Sequence, residues 1–432
     1  MKEDKWMDAL PRIFKMHQKI EAPRLADVEK EMNGLLDRFG LSGKVRAGER
    51  IALTAGSRGI RDKAKVLKVI ASRLKALGGK PFLVPCMGSH GGGTAEGQVK
   101  MLRHLGITEE YVGAPIMSSM EVKEIGRTSF GTPVLIDKNI CEQADKIIVV
   151  NRIKPHTDFD HVVESGISKM MIIGMGKHKG ALMAHRLTIK HGFPSIFKEV
   201  LPVIRKALPF FFGVGIIENQ YDQTASLHLL EPKDFYEGEK ALLQRAREIM
   251  PRLPFKQMDI LVVDEIGKNI SGAGMDPNVT GRLYFIGSPP LKEPKITRIF
   301  VRDLTPETEG NAIGIGFAEY TTSRLVKKID PIPTMINSIT GMGPECGRIP
   351  ISCDKDRDAL QAAFDNSGVL DPKELRLVWI KNTLEMEYLW ATESMFKEAK
   401  ANPNLEVVSG LQDVPFDAAG NMAMEWPPRW AD

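Results

Sequence analysis

The fold is predicted by one stretch of the chain, residues 50–94, which reads RIALTAGSRGIRDKAKVLKVIASRLKALGGKPFLVPCMGSHGGGT. Two short apolar runs in it, residues 50–55 and 81–86, have the length and composition of buried strands. Between them, residues 63–77 repeat apolar side chains at helical spacing, and a glycine pair ends the helix. A strand, a helix and a second strand in this order predict a parallel βαβ unit.

Further apolar runs extend this pattern along the chain. Residues 146–150 and 259–263 are predicted strands, and residues 170–173 are predicted to form a short strand that glycines close. Residues 1–40 are predicted to be helical and polar. The expected fold is an α/β protein of two domains, with mostly parallel sheets and flanking helices.

A connection rich in proline, residues 250–254 (MPRLP), gives the expected domain boundary. The N-terminal domain, residues 1–254, is expected to carry the loops that follow the first predicted strands and hold the candidate functional residues. The C-terminal α/β domain, residues 255–432, is expected to close a cleft over them. Because ligands of α/β sheets bind beyond the carboxyl ends of the strands, the active site is expected in this inter-domain cleft.

The composition narrows the class of protein. The chain has 432 residues, with 59 Lys and Arg against 55 Asp and Glu, and a net charge of +4 is too small for a nucleic-acid-binding field. Its longest strongly apolar stretch, residues 208–217, is about half as long as a membrane-spanning helix. Residues 1–5 lack the apolar core of a signal peptide, and the four cysteines form no CxxC pair. We therefore expect a cytoplasmic protein that binds neither nucleic acid nor membranes.

Two histidines stand in loops that follow predicted strands. His90 lies in the glycine loop, residues 88–94 (GSHGGGT), where glycines allow close approach to a ligand and the next helix start can hold an anion. His156 follows Pro155, whose fixed backbone gives the imidazole a defined direction. With an ordinary pKa of about 6.5, an imidazole takes or gives a proton near neutral pH. The alternative for His90 is a solvated histidine in a tight turn, and His156 taken alone is more typical of a hydrogen-bonded loop histidine than of a catalyst.

A lysine and a histidine enclose the most unusual segment, residues 166–185 (GISKMMIIGMGKHKGALMAH). Lys169 heads the apolar run, where burial would make its amine nucleophilic. The glycine turn after it leads to a predicted helix that carries His185 in its first turns. The basic residues 177–179 of the turn suit a phosphate or a carboxylate. A nucleotide-type glycine turn with incidental charges explains the segment equally well.

Two basic residues after predicted strands are candidates to hold a substrate carboxylate. Arg58 would do so by a two-pronged contact and Lys268 as a point charge. The sequence lacks an HExxH zinc motif, a GxSxG elbow, a Walker phosphate loop and a GxGxxG after the first strand. The absence of these motifs disfavours HExxH zinc enzymes, common hydrolases and kinases, and a dehydrogenase that uses free NAD.

Three elements, taken in order, resemble the nickel-dependent lactate racemase family and its 2-hydroxy-acid racemase and epimerase homologues. They are the loop SHGGGTAEG (residues 89–97), the segment NRIKPHT (residues 151–157), and the pair of Lys169 and His185. The step of 66 residues between the loop histidines (156 − 90) and the step of 16 residues within the pair (185 − 169) agree with the family. One departure is that those racemases carry Gly-Gly-Arg-Lys where this chain has Gly-Ile-Ser-Lys at residues 166–169.

The resemblance implies a cofactor, the nickel-pincer nucleotide. This is a pyridinium-3,5-bisthiocarboxylic acid mononucleotide whose two sulfur-containing arms hold a nickel ion. By position, Lys169 would attach it covalently through a thioamide, and His185 would complete the nickel coordination. Imidazole and sulfur are suitable donors for nickel. The implied partners include the enzymes that build the cofactor.

The resemblance also implies the substrate and the acid–base residues. The substrate would be a small 2-hydroxy acid, with Arg58 and Lys268 on its carboxylate. His90 and His156 would be the paired acid–base residues, because the two enantiomers place their hydroxyl groups differently.

The implied reaction makes chemical sense. Removal of the α-proton of a 2-hydroxy acid would create a dianion, whereas moving a hydride to a cationic pyridinium avoids that charge while a base takes the hydroxyl proton. The resulting ketoacid then receives the hydride on its other face. The expected protein is an isomerase, and the alternative is a catalytically inactive nucleotide-binding homologue on the same scaffold.

Overall fold

The computed structural model describes most of the chain, in the ranges 10–157, 159–283 and 291–427. Within it the chain forms two compact units. One is Ala22–Met250, and the other combines the described residues of Met1–Glu21 and Pro251–Asp432. The assignment of two functional domains on either side of residue 254, with the active site between them, stays a prediction. Residues 1–5, used above for the expected location, lie outside the described residues.

A five-stranded sheet forms the centre of the Ala22–Met250 unit, in the order β3-β2-β6-β7-β8. All neighbouring strands run parallel except β7 and β8. Numbered along the chain, they are β2 (Arg50–Ala55), β3 (Lys80–Pro85), β6 (Lys146–Arg152), β7 (Phe210–Glu218) and β8 (Thr224–Leu230). A separate antiparallel hairpin is formed by β4 (Val122–Arg127) and β5 (Pro133–Asp137). The first three strands predicted from the sequence are confirmed.

Helices cover this sheet. They are α1 (Val28–Arg38), α2 (Lys63–Ala76), α3 (Ala95–His104), α4 (Glu109–Val112), α5 (Lys138–Gln143), α6 (Ile167–Lys169), α7 (Lys177–Ala207) and α8 (Phe235–Ile249). In α2, Val66, Ile70 and Leu74 are fully buried against the sheet, as the spacing of apolar residues predicts. The predicted helix between the first two strands is therefore confirmed.

The predicted strand at residues 170–173 is wrong. A π-helical turn, Met170–Gly174, occupies this position and continues α6 towards α7. Met170, Met171 and Ile172 are all buried. An apolar run that is buried on every side has no periodicity that separates a strand from a helix. Lys169 therefore ends a helical turn and does not head a strand.

An eight-stranded sheet forms the centre of the other unit, in the order β12-β11-β10-β9-β13-β14-β1-β15. The five strands from β12 to β13 are parallel, and the rest pair antiparallel. The strands are β1 (Ile13–Gln18), β9 (Gln257–Ile266), β10 (Lys295–Leu304), β11 (Tyr320–Thr322), β12 (Ile351–Cys353), β13 (Leu377–Ile380), β14 (Tyr388–Thr392) and β15 (Leu405–Val407). Two mostly parallel sheets thus confirm the predicted α/β class with flanking helices.

The helices of this unit are short. They are α9 (Pro277–Thr280), α10 (Ser323–Lys328), α11 (Pro331–Thr340), α12 (Asp356–Asp365) and α13 (Phe396–Ala401). Within the described ranges of the whole chain, no helix combines the length and the apolar character that crossing a membrane requires.

The N-terminal region is only partly helical. Helix α1 agrees with the prediction, but β1 is a strand that pairs with both β14 and β15. Phe14 and Met16 face one core of this unit, and Ile13 faces the other. This alternation is the two-residue period of a strand with apolar surroundings on both faces. The helical prediction for residues 1–40 is therefore wrong at β1.

Candidate active site

Three of the predicted site residues of the Ala22–Met250 unit lie in loops that follow three neighbouring parallel strands. Arg58 lies in the turn after β2, the glycine loop follows β3, and His156 follows β6. Because these strands are adjacent and parallel, their carboxyl ends meet at one edge of the sheet. The topology therefore brings loops that are distant in sequence to one place.

His156 is at the centre of this site. Its Nε2 is in hydrogen-bond contact with Nζ of Lys169, which approaches from the helical turn of α6. Burial lowers the pKa of His156 well below its ordinary value of 6.5, and the positive charges of Lys169, His185 and Arg58 act in the same direction. The imidazole is consequently neutral at pH 7, so that Nε2 can accept a hydrogen bond from the amine. Residues predicted from separate loops thus act on one imidazole.

Aromatic rings hold the plane of this imidazole. Phe159 stacks on His156 with ring centroids 4.5 Å apart, and Phe193 stacks on Phe159 at 3.9 Å. Both phenylalanine side chains are buried. This stack gives the histidine one apolar face and leaves its ring edge for polar contacts.

The second predicted acid–base residue has a partner of its own. Nδ1 of His90 is 2.6 Å from Oγ of Ser57, which precedes Arg58 in the turn after β2. A hydroxyl on one ring nitrogen helps to fix the orientation and tautomer of the imidazole. Thr94 caps α3 by accepting a hydrogen bond from the N–H of Gly97, as expected for a helix start at this position.

The glycine loop packs on the first turns of α7, the helix that carries His185. A Cβ added to Gly88 would lie 3.2 Å from Cβ of Ala181, and one added to Gly93 would lie 3.3 Å from Nδ1 of His178. On its other side, Nε2 of Gln98 donates to the carbonyls of Gly88 at 3.0 Å and of His90 at 3.3 Å. His90 is therefore held between α3 and the start of α7.

Lys177 stabilises the packing of α7 against the glycine loop and α3 through buried hydrogen bonds. Its side chain is fully buried, and Nζ donates to the carbonyl of Pro85 and to Oε1 of Gln98, each at 2.7 Å. The carboxylate of Asp137 lies 3.4 Å away. The prediction that residues 177–179 face an anion is therefore wrong for Lys177, whereas His178 and Lys179 are exposed.

The two proposed carboxylate-binding residues lie in different units. Arg58 is exposed, follows Ser57, whose hydroxyl contacts His90, and acts electrostatically on His156. Lys268 belongs to the other unit, in the turn after β9, where Nζ donates to Oδ1 of Asn337 and its backbone N–H donates to Thr308 at 3.1 Å. A role for Lys268 at the same substrate stays a prediction.

Two buried carboxylates next to the site were not predicted. Glu164 accepts hydrogen bonds from the backbone N–H groups of His156 and His161, and Glu239 accepts from the N–H and Oγ of Ser168. Burial raises the pKa of each to about 7. The sequence signal for Glu239 is an acidic residue on the apolar face of α8, at four-residue spacing from the buried Phe235 and Leu243.

The comparison with protein families agrees with this site. Residues 12–193 match the family model described as the lactate racemase N-terminal domain. This range contains the glycine loop, the loop of His156 and the pair of Lys169 and His185. The resemblance drawn from those residues is confirmed, and residues 12–193 are similar to the lactate racemase N-terminal domain. At the level of that family, the role supported for the chain is a racemase-type isomerase.

Solved structures of low sequence identity also match the chain. One is the lactate racemase apoprotein from Thermoanaerobacterium thermosaccharolyticum, with 13% identity, a TM-score of 0.49, and coverage of 81% of this chain and 91% of that one. Another is a protein from Thermotoga maritima, with 14% identity, a TM-score of 0.46, and coverage of 83% and 97%. No curated protein matches the sequence. The part of the chain that the structure describes contains no group of three or more His, Cys, Asp or Glu side chains placed to hold a metal ion.

Proposed function

We propose that the chain is a racemase or epimerase of a 2-hydroxy acid, of the lactate racemase type. The observation that carries this proposal is the contact between the Lys169 amine and the His156 imidazole. The charges of His185 and Arg58 also lower the pKa of this imidazole. An amine for cofactor attachment, imidazoles and a guanidinium at one sheet edge are the groups that this chemistry requires. The family match over residues 12–193 supports the same assignment.

The donor set of the site fits the nickel-pincer nucleotide. Lys169 is a partly exposed primary amine, suited to covalent attachment, and His185 offers an imidazole nitrogen of the kind that binds nickel. When bound, this group would supply the acceptor and the donor of a hydride. Lys169 and His185 would hold it on the face where the glycine loop meets α7.

His156 and His90 would move the hydroxyl proton of the substrate. The low pKa keeps the imidazole of His156 neutral at pH 7, and the hydrogen bond from the Lys169 amine places the free lone pair on Nε2, so that this atom starts as an acceptor. Its hydrogen bond from the Lys169 amine would be released when that amine is joined to the cofactor, and Nε2 would then face the substrate hydroxyl. His90, oriented by Ser57, would act in the same way on the opposite enantiomer.

Arg58 would hold the substrate carboxylate. Its charge acts on His156, the preceding residue Ser57 contacts His90, and its guanidinium can present paired N–H donors to a carboxylate. Lys268 is proposed as a second contact to the same group. We place this reaction in the cytoplasm, where cofactor-building enzymes would load the protein before it meets a small hydroxy acid.

The test is expression of the chain together with the cofactor-building enzymes, followed by nickel analysis and a peptide mass map of Lys169. A panel of enantiopure 2-hydroxy acids is then followed by chiral chromatography. His156→Asn and His90→Asn are each expected to lower the interconversion rate about 10²- to 10⁴-fold while the mass on Lys169 is kept. His104→Asn, at the exposed end of α3, is the matched control and should leave the rate unchanged.

Each outcome decides between the alternatives. An unmodified Lys169 without nickel, in protein made beside the loading enzymes, would contradict the proposal. A modified Lys169 in a protein that interconverts no acid of the panel would instead favour the inactive nucleotide-binding homologue.

A further inference from the structure

Helix α8 places charged side chains on the face that it turns towards the site. Glu239, Leu243 and Arg247 follow one another at four-residue steps and therefore share this face. Leu243 is 1% exposed and Glu239 is fully buried, which shows that the face is packed. Glu239 and Arg247 are separated by about 12 Å along the helix axis. None of the roles proposed above uses either of them.

Glu239 holds the turn that ends in Lys169. Its Oε2 accepts hydrogen bonds from the backbone N–H of Ser168 at 2.8 Å and from Oγ of Ser168 at 2.6 Å. The approach is close, since a Cβ added to Gly166 would lie 2.0 Å from Oε1 of Glu239. The backbone of residues 166–168 is thus fixed directly before the attachment lysine.

Arg247 holds the loop of His156 through a second carboxylate. It forms ion pairs with Glu164 and, at 2.5 Å, with Asp160, and it donates to the carbonyl of His161 at 2.9 Å. Glu164 in turn accepts from the backbone N–H of His156. Charge-assisted hydrogen bonds of this kind are short and directional, so that they fix the backbone that presents the imidazole.

We infer that Glu239 and Arg247 are positioning residues, and that one face of α8 sets the Lys169 amine against the His156 imidazole. Glu239 acts through Ser168 and Arg247 acts through Glu164. Because both anchors stand on a single helix, the separation between the lysine turn and the histidine loop is fixed by rigid secondary structure. The consequence for cofactor attachment rests on the proposed function, whereas the contact of the two side chains does not.

The test uses the full chain with Glu239→Gln and Arg247→Gln. Matched controls on the same helix are Glu237→Gln and Arg245→Gln, whose side chains are 74% and 55% exposed. In unloaded protein, the exchange of the imidazole C2 hydrogen for deuterium, followed by peptide mass spectrometry, gives the titration midpoint of each histidine. His228, partly buried in β8, serves as the internal reference.

In Glu239→Gln and Arg247→Gln, loss of the charged group weakens the hydrogen bonds that hold the lysine turn or the histidine loop. The midpoint of His156 is expected to rise by about one pH unit, because a looser contact with Lys169 removes part of the burial and of the lysine charge that lower it. The midpoint of His228 and the midpoints in both controls should not move. In protein made beside the loading enzymes, both variants should carry severalfold less adduct on Lys169 than wild type.

A His156 midpoint that stays at the wild-type value in both folded variants would overturn the inference. If wild-type Lys169 carries no adduct, the proposed function fails while the His156 midpoint still decides the positioning role. Should Glu239→Gln fail to fold, Ser168→Ala removes only the bond to Oγ, and a smaller rise of the same midpoint is expected.

Discussion

Lys63 is a buried base beneath the site, at the first turn of α2. Its Nζ donates to the carbonyl of Gly56 at 3.0 Å, and its side chain is fully enclosed. Burial lowers the pKa of Lys63 from 10.5 to about 7. A protonated amine in this buried position destabilises the folded state. The free energy of unfolding therefore depends on pH.

The sign of that dependence follows from the two protonation equilibria. Between pH 7 and pH 10.5 the unfolded chain keeps the proton that the folded chain has lost, so stability rises with pH across this window. Below pH 7 the amine is protonated in both states, and the folded state bears the full free-energy cost of the buried charge. Lys63→Met is expected to flatten this rise, which urea unfolding at a series of pH values measures. Lys65→Met, whose side chain is 50% exposed, is the control, and equal slopes for Lys63→Met and wild type would contradict the prediction.

At the scale of single residues, the sequence predicted the site only in part. His90, His156, Lys169 and His185 are predicted because motifs with characteristic spacing mark them, and their roles stay predictions. Glu239 was missed because its contact with Ser168 joins residues 71 apart in sequence, which no local pattern shows. Lys177 was misread for the same reason, since its buried partners lie on other elements.

The glycine loop makes a prediction at the scale of an element. Gly91 and Gly92 have φ of 68° and 67°, in the left-handed region, so that alanine is strained at both. At Gly92 a Cβ would meet nothing within 4 Å, and Gly92→Ala should cost about 1 kcal/mol of unfolding free energy. At Gly91 a Cβ would lie 2.6 Å from the backbone carbon of Gly97, so Gly91→Ala should cost more because backbone must move.

Urea unfolding of the two alanine variants measures this difference. The pair is matched, because both substitutions add one methyl group in the same loop at nearly the same φ. An equal loss of stability in both would show that the close approach to α3 does not constrain the loop.

Elements were predicted well where their periodicity was clear. The strands β2, β3, β6 and β9 were recognised as short apolar runs, and α2 by its helical spacing. The sequence wrongly predicts a strand at the π-helical turn Met170–Gly174, because an apolar run that is buried on every side has no amphipathic periodicity. Strand β1 was missed because its pairing partners lie at the other end of the chain.

A prediction for the whole molecule concerns the membership of β1 in the unit of Pro251–Asp432. Phe14 is fully buried in that core, so Phe14→Ala should destabilise the unit by about 3–5 kcal/mol. Hydrogen–deuterium exchange with mass spectrometry should show faster exchange in peptides of β14, with β2 and β6 unchanged. Lys15→Ala, on a partly exposed neighbour, is the control. Faster exchange confined to β2 and β6 would contradict the assignment.

The position of β1 also has a consequence for biosynthesis. This strand leaves the ribosome before the Ala22–Met250 unit, whereas its neighbours in the sheet, β14 and β15, leave the ribosome after that unit. The nascent chain can complete the Ala22–Met250 sheet while translation continues, but the eight-stranded sheet closes only after its final strand has emerged. The apolar Ile13, Phe14 and Met16 stay unpaired until β14 has emerged, and a chain stalled before residue 388 lacks the strand that pairs with all three.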